Sequence, residues 1–167
     1  MNFFKKKHNF ILYSRLLNLS RNIFFYENLR LSDKFETRIY LMFFHFSIIM
    51  LIFKKKQKKF DQDNYDFFFH SIENDLRELG FGDVSVNKKM KEFNKILYDI
   101  LLKIDQDSKN IKKFKINKNL MIKYFEDLKL EDNEKTSLLE SYFDSFFDFC
   151  FELNHDNIIE KLDKFKF

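Results

Sequence analysis

The sequence predicts an all-α, single-domain helical bundle of about six to seven helices. Apolar residues recur at helical spacing along most of the chain, and no convincing strand alternation occurs. A chain of 167 residues is also long enough to bury a hydrophobic core without disulfides or metals. The chain has no proline, so Asn, Asp, Ser, Lys and two glycines must separate the helices. Its 25 phenylalanines indicate an aromatic core.

Two helices are predicted in the N-terminal part. The first covers about residues 9–26 and carries an apolar stripe with basic flanks. A linker at 28–32 follows. Ser32 or Asp33 then caps a long second helix that runs to about Lys56, because a short side-chain oxygen satisfies the free amide groups of the first turn.

Two more helices flank the glycines. The third covers about 64–79 and begins after an aspartate cap, Asp61 or Asp63. Gly80 lies where a helix end commonly takes a left-handed conformation, which glycine adopts without a Cβ penalty. Ser85 is the predicted cap of a fourth helix, at about 86–105.

The C-terminal part contains a connector and shorter helices. Residues 105–119 are predicted to form a polar connector. Helices follow at about 118–128 and 133–153, and a short one lies near 156–164.

The charge of the chain is unevenly distributed. Residues 1–125 carry 25 Lys and Arg against 14 Asp and Glu, a net charge of +11, whereas residues 126–167 have a net charge of −7. We therefore divide the chain into a basic N-terminal segment (1–8), a helical core (9–107) and acidic C-terminal helices packed on the same domain (108–167). The basic part is expected to meet an anionic surface.

The most apolar segment, Ile39 to Phe53, is shorter than the roughly 20 residues that a membrane-spanning helix needs. It is predicted to be the buried central helix of the bundle. The alternative is a helix that lies in the membrane interface, held by a basic cluster that would contact lipid or the ribosome. That cluster consists of Lys54, Lys55, Lys56, Lys58 and Lys59.

Two residues that could be reactive are predicted to be structural. Cys150 is the one cysteine, so no intramolecular disulfide forms, and its phenylalanine neighbours indicate a small buried residue. His45 lies among apolar residues and is expected to be a hydrogen-bonded core histidine.

No motif for catalysis, cofactor binding or metal binding stands out. Glu152 and His155 form one Glu-x-x-His pair, whereas carboxylate-bridged metal sites in bundles need two such pairs and two further carboxylates. The chain is therefore predicted not to be an enzyme, and to need no cofactor, metal, small-molecule substrate or DNA.

The lysine clusters at 54–59, 88–91 and 112–118 leave two interpretations open. They are solvated helix faces, or they contact anionic lipid headgroups or ribosomal RNA, although no RNA-binding signature accompanies them. The second interpretation gives the alternative function, a membrane-surface or RNA- and ribosome-binding helical module unrelated to respiration.

Two segments resemble the ubiquinol–cytochrome c chaperone family, and the resemblance covers about Ile11 to Lys103. The first segment has an aromatic pair, an Asp, an Arg and a His within an apolar helix: Phe25, Tyr26, Asp33, Arg38 and His45. The second is an acidic helix end, a Leu-Gly-x-Gly-Asp turn and a basic helix start: Asp75, Arg77, Glu78, Gly80, Gly82, Asp83, Val86, Lys88 and Lys91. Ser32 replaces the expected proline, and Asn87 replaces a small residue.

The resemblance implies an assembly factor for respiratory complex III that binds newly made cytochrome b, with the ribosome and a second assembly factor as further partners. The short N-terminus implies the cytoplasmic face of a bacterial inner membrane, with a mitochondrial location as the alternative. The glycine turn then becomes a site hypothesis, a rigid corner that presents a basic edge to a partner. Its residues are Asp75, Arg77, Glu78, Gly80, Gly82, Asp83, Lys88, Lys89 and Lys91.

Overall fold

The computed structural model describes residues 3–106, 109–128 and 133–167, and most of them are helical. The all-α prediction is therefore confirmed. An isolated antiparallel bridge between Asp105 and Ile116 is the one β pairing among the described residues. The helices are α1 (Phe3–Ser20), α2 (Ile23–Glu27), α3 (Phe35–Lys55), α4 (Gln62–Glu78), α5 (Asp83–Lys103), α6 (Lys118–Tyr124), α7 (Asn133–Glu152) and α8 (Ile158–Lys161), the last between two short 3-10 turns.

Helix α3 lies at the centre of the fold. Every residue from Leu41 to Ile49 is buried, and α1, α5 and α7 pack against the helix. By length and composition alone α3 could cross a membrane. Its burial within the described chain instead agrees with the predicted central helix of a bundle.

The predicted first helix is in fact two helices. Helix α1 ends at Ser20, whose hydroxyl donates to the Leu17 carbonyl over 2.7 Å. The Asn22 side chain then accepts a hydrogen bond from the Phe24 amide and caps α2. Short polar side chains offer such alternative partners to the backbone, which is why the helix breaks here rather than continuing to residue 26.

The predicted cap of the second helix was wrong. Helix α3 begins after Lys34, and no side chain caps it. Asp33 instead forms an ion pair with Arg38, and Ser32 donates its hydroxyl to Asp127, so both side chains have partners elsewhere. The structure confirms Asp61 as the cap of α4, since its carboxylate accepts from the Asp63 amide.

Two further helix boundaries and the connector differ from the prediction. Helix α5 begins at Asp83 after Gly82, so Ser85 lies inside the first turn and is not the cap. Helix α6 ends at Tyr124, before the expected residue 128. The 105–119 connector is less polar than predicted, because Ile116 is buried and pairs with Asp105.

A buried hydrogen bond joins α3 to α7. The Nδ1–H of His45 donates to the Leu41 carbonyl over 2.6 Å, so Nε2 accepts from the Tyr142 hydroxyl over 2.8 Å. Burial lowers the pKa of His45 to about 4 and raises the pKa of Tyr142. The imidazole is therefore neutral at physiological pH, and both of its nitrogens are satisfied.

We expect Tyr142→Phe to lower the free energy of unfolding by about 1–3 kcal/mol, because it leaves His45 Nε2 buried without a partner. Chemical denaturation measures the change. Tyr98→Phe is the matched control, since Tyr98 is exposed and water can replace its hydroxyl contacts. Equal midpoints for the two variants would show that the buried bond contributes nothing to stability.

The stability of the protein should also depend on pH through His45. Its pKa is about 4 in the folded state and about 6.5 when unfolded, so between these values the unfolded chain binds the extra proton. Stability is therefore full above about pH 6.5 and falls by roughly 3 kcal/mol as the pH drops to about 4.

The measurement is the difference in unfolding free energy between pH 7 and pH 4.5 for the wild type, His45→Gln and His70→Gln. His70 is exposed and serves as the control. Variants must be compared because burial raises the pKa of Asp144 to about 6, which acts in the opposite direction. If His45→Gln keeps the full wild-type pH dependence, another group is responsible.

Candidate partner-binding site

A tight corner joins α4 to α5. The amide of Gly80 donates to the Arg77 carbonyl, and the amide of Phe81 donates to the Leu76 carbonyl. These two bonds form a Schellman motif, which requires a left-handed residue after the helix end. Gly80 fills that position with a φ of +94°, as the sequence predicted.

Gly82 has no comparable structural role. Its φ of −72° and ψ of 163° are open to any residue, and a Cβ atom there would meet nothing within 4 Å. As the residue before α5 it also supplies no side-chain cap, which Ser or Asp would do. Neither the turn nor internal packing therefore requires glycine at position 82. Because Gly82 has no side chain, the backbone is exposed at the outer surface of the corner.

The corner exposes apolar side chains. Leu79 is 57 % exposed, Val84 is 84 % exposed, and Phe81 is also exposed. Single exposed apolar residues are common on folded proteins, but contiguous ones mark interaction sites. These three residues lie within six positions of the chain, which makes the corner a candidate interaction site.

Two charged residues of the corner are held by neighbours. Arg77 lies 2.8 Å from Glu73 and 3.6 Å from Asp83, and its hydrogen bond to Glu73 is the main reason that its pKa is raised. Asp75 accepts a hydrogen bond from the hydroxyl of Tyr13 in α1. Burial raises the pKa of the Asp75 carboxyl and of the Tyr13 hydroxyl.

A groove of about 530 Å³ opens beside the corner between α1, α3 and α4. Its apolar lining comes from α1, α3 and the residue that follows α4, and Ile39 and Met42 of this lining are buried: Leu17, Phe35, Ile39, Met42 and Leu79. Charged residues at the groove come in opposite signs, Arg21 and Arg38 against Asp75 and Glu78. The two segments on which the family resemblance rests therefore meet in one groove, since Arg38 belongs to the first and Asp75 and Glu78 to the second.

The predicted basic edge divides into two kinds of lysine. Lys88 and Lys91 are exposed on α5. Lys89 points back toward the fold, lies 3.2 Å from Glu36 and stands over the Phe81 ring at 5.1 Å. The structure therefore separates Lys89 from the other two, which the sequence could not do.

The cluster at the end of α3 divides in the same way. The ammonium of Lys55 is 2.9 Å from Asp105 and donates to the carbonyls of Asn110 and Lys113. Lys56 donates to the carbonyls of Phe151 and Leu153 at the end of α7. Both lysines hold the fold together, so the predicted lipid or ribosome contact is left with the exposed Lys54, Lys58 and Lys59.

The residues expected to be structural lie in the core. His45 is enclosed by aromatic rings, among them Phe25, Phe143 and Phe146. Cys150 is buried, and burial raises the pKa of its thiol, which keeps it protonated. Among the described residues, no three His, Cys, Asp or Glu side chains come together in a way that could hold a metal ion.

A helical bundle with an exposed apolar corner beside a groove is typical of proteins that bind segments of other proteins. The family model of the ubiquinol-cytochrome C chaperones matches residues 27–161, and the chain belongs to this family. Its membership supports a chaperone role in the assembly of respiratory complex III, acting on a client protein. No curated protein and no solved structure matches the chain.

The match corrects the extent of the resemblance. It starts after Phe25 and Tyr26, which therefore lie outside it, and it continues through α7 into the C-terminal turns. The glycine corner carries a motif that the sequence shows directly, whereas the C-terminal helices do not. Their aromatic and acidic composition carries no distinctive motif, so the signal there is spread over many positions.

The two glycines should differ in what they tolerate. Gly80→Ala is expected to cost about 1–2 kcal/mol of unfolding free energy, because its φ of +94° is strained for any residue with a Cβ. Gly82→Ala should change stability by less than about 0.5 kcal/mol. Thermal and chemical denaturation of the two variants measure the difference, and equal losses would contradict this account of the corner.

Proposed function

We propose that the protein binds newly made cytochrome b and shields it during the assembly of complex III. The observation that carries this proposal is the convergence of Arg38, Asp75 and Glu78 on one groove, next to the exposed corner. Residues from two distant stretches of the chain, both characteristic of the family, line the same opening.

The groove suits an apolar segment of a client. Its apolar lining offers partners for the side chains of a membrane helix that has not yet entered the bilayer. Its charged groups can meet the polar ends of such a segment, with Arg21 and Arg38 facing acidic groups and Glu78 facing basic ones. Helices commonly bind other proteins by laying an apolar face into a groove of this kind.

The corner supplies the anchoring residues. Covering the exposed part of Leu79 (57 %) or Phe81 (38 %) contributes about 1 kcal/mol each, a share of the roughly 1.5–3 kcal/mol for a fully exposed side chain. Gly82 lets the client backbone come close, because no side chain stands in its way. The role requires binding only, so we assign no catalytic residue.

Further partners belong to the same proposal. The exposed Lys54, Lys58 and Lys59 can contact the ribosome or anionic lipid. A second assembly factor is a further proposed partner. We place the protein at the periphery of the inner face of a bacterial inner membrane, where newly made cytochrome b enters the bilayer.

Site-specific photocrosslinking in host cells tests the client and the site together. A photoreactive residue at Leu79 should crosslink to cytochrome b, whereas one at Ile111 should not. The two positions are matched in exposure, 57 % and 59 %. They lie at opposite ends of α3, since Leu79 shares the groove with Phe35 and Ile111 lies beside the residues that bind Lys55.

Complementation of a deletion strain gives the second measurement. Leu79→Ser combined with Phe81→Ser should lower assembled complex III and its cytochrome b haem signal, whereas Ile111→Ser should restore both. Crosslinks to other proteins but not to cytochrome b would contradict the proposed client. Equal crosslinking from positions 79 and 111 would contradict the proposed site.

A further inference from the structure

An exposed stripe runs along the whole of α5. Its residues are separated alternately by four and three positions, and all of them are exposed: Val84, Lys88, Lys91, Lys95, Tyr98 and Leu102. At 3.6 residues per turn, this spacing places all six within an arc of about 80°. The buried Phe93 and Ile100 lie on the opposite side of the helix.

The lysines of the stripe have no partner among the described residues. Lys89 and Lys103, on the same helix, pair with Glu36 and Asp99. Within residues 3–106, 109–128 and 133–167, no ion pair or hydrogen bond involves the ammonium groups of Lys88, Lys91 or Lys95. The stripe itself contains no acid, and its three positive charges have no bonded partner among the described residues, although Asp66 and Glu73 of α4 line a pocket with Lys91.

The acids beside the stripe do little to reduce this charge. Glu92 and Asp99 are its neighbours on one side of α5. Asp99 already accepts hydrogen bonds from Lys103, Lys123 and Tyr124, and these partners lower its pKa. Glu92 lines a separate groove together with Tyr40 and Glu126.

Apolar side chains lie at both ends of the stripe. Val84 is 84 % exposed and Leu102 is 82 % exposed, and Tyr98 presents a ring with a polar tip next to Leu102. The distance along the helix from Val84 to Leu102 is about 27 Å. Three cations between apolar ends thus form one flat, linear surface.

We infer that this stripe is the surface by which the protein lies on an anionic lipid bilayer. Ammonium groups bind headgroup phosphates, aliphatic side chains enter the boundary of the acyl region, and tyrosine favours the interface between them. A purely phosphate-binding surface for RNA would gain nothing from exposed Val84 and Leu102.

The inference deepens the membrane part of the proposed function and rests on it for its biological meaning. Val84 belongs both to the stripe and to the glycine corner. A bilayer that contacts α5 therefore lies beside the proposed client site. The lipid contact is assigned to Lys88, Lys91 and Lys95, whereas the sequence grouped Lys89 with Lys88 and Lys91.

Co-sedimentation of the full chain with vesicles tests the inference. The protein should bind phosphatidylcholine vesicles that contain phosphatidylglycerol and should not bind pure phosphatidylcholine. Replacing Lys88, Lys91 and Lys95 by Gln should weaken this binding roughly 100-fold, since each lysine near an anionic surface contributes about 1 kcal/mol, which is about a fivefold change. The matched control replaces Lys109, Lys112 and Lys113, three exposed lysines in the connector, by Gln.

A double variant distinguishes lipid binding from RNA binding. Val84→Asn with Leu102→Asn should weaken vesicle binding and leave binding to a single-stranded RNA homopolymer unchanged. Equal losses in the two triple-lysine variants would show that net charge, not the stripe, drives binding. Binding to RNA or to an acidic peptide without binding to anionic vesicles would also overturn the inference.

Failure of this inference can be distinguished from failure of the proposed function. The triple-lysine variant should still crosslink to cytochrome b from position 79 in detergent extracts. The Leu79→Ser, Phe81→Ser variant should still bind anionic vesicles. If vesicle binding is absent while the position-79 crosslink persists, the lipid surface is wrong and the client site stands.

Discussion

The fold depends on covering α3 on all sides. An amphipathic helix needs partners on one face only, but α3 has nine consecutive buried residues, from Leu41 to Ile49, and so needs them all round. Helices α1, α5 and α7 supply much of this cover. Helix α4 packs on α1 and α5 and adds to the cover, because its rings contact Phe43 and Phe46 of α3. Because α5 runs in the same direction as α3, the start of α5 meets the start of α3 at Glu36 and Lys89, and the glycine corner therefore lies at that end of the bundle.

A helix that is apolar on all sides can rotate or slide without losing much burial, so polar contacts must fix its position. His45 provides one such contact, because its bond to Tyr142 can form in only one register of α3 against α7. Tyr142 is also in ring contact with Phe24 and Phe25 of α2 and with Phe165 near the end of the chain. At the far end of α3, Lys55 and Lys56 bind the connector and the end of α7. Buried polar groups of this kind cost desolvation, and here we interpret their role as fixing one arrangement.

The sequence alone predicts the long helices, the central position of α3 and the left-handed conformation of Gly80, because each depends on local spacing or local backbone geometry. The sequence does not predict the role of a side chain whose partner lies far away along the chain. Ser32 is not a cap because Asp127 binds it, and Lys55 is not a surface lysine because Asp105 lies beneath it. The glycine corner could be recognised from sequence, but the groove could not, since it forms only when α1, α3 and α4 meet. The α5 stripe lies between these cases: its spacing is visible in the sequence, but that its lysines form no ion pair among the described residues is a tertiary property.

The burial of α3 also affects how the protein would contact a membrane. By composition this helix could enter a bilayer, so an open bundle would compete for insertion with the membrane-protein client that we propose. Packing keeps α3 inside, and in the proposed arrangement α5 touches the lipid through single lysines and a few apolar side chains. Such contact is weak, reversible and reduced by salt, because exposed charges are screened over about 10 Å at 0.1 M ionic strength. A chaperone that must hand over a membrane protein and then leave needs a surface contact of this kind rather than an inserted anchor.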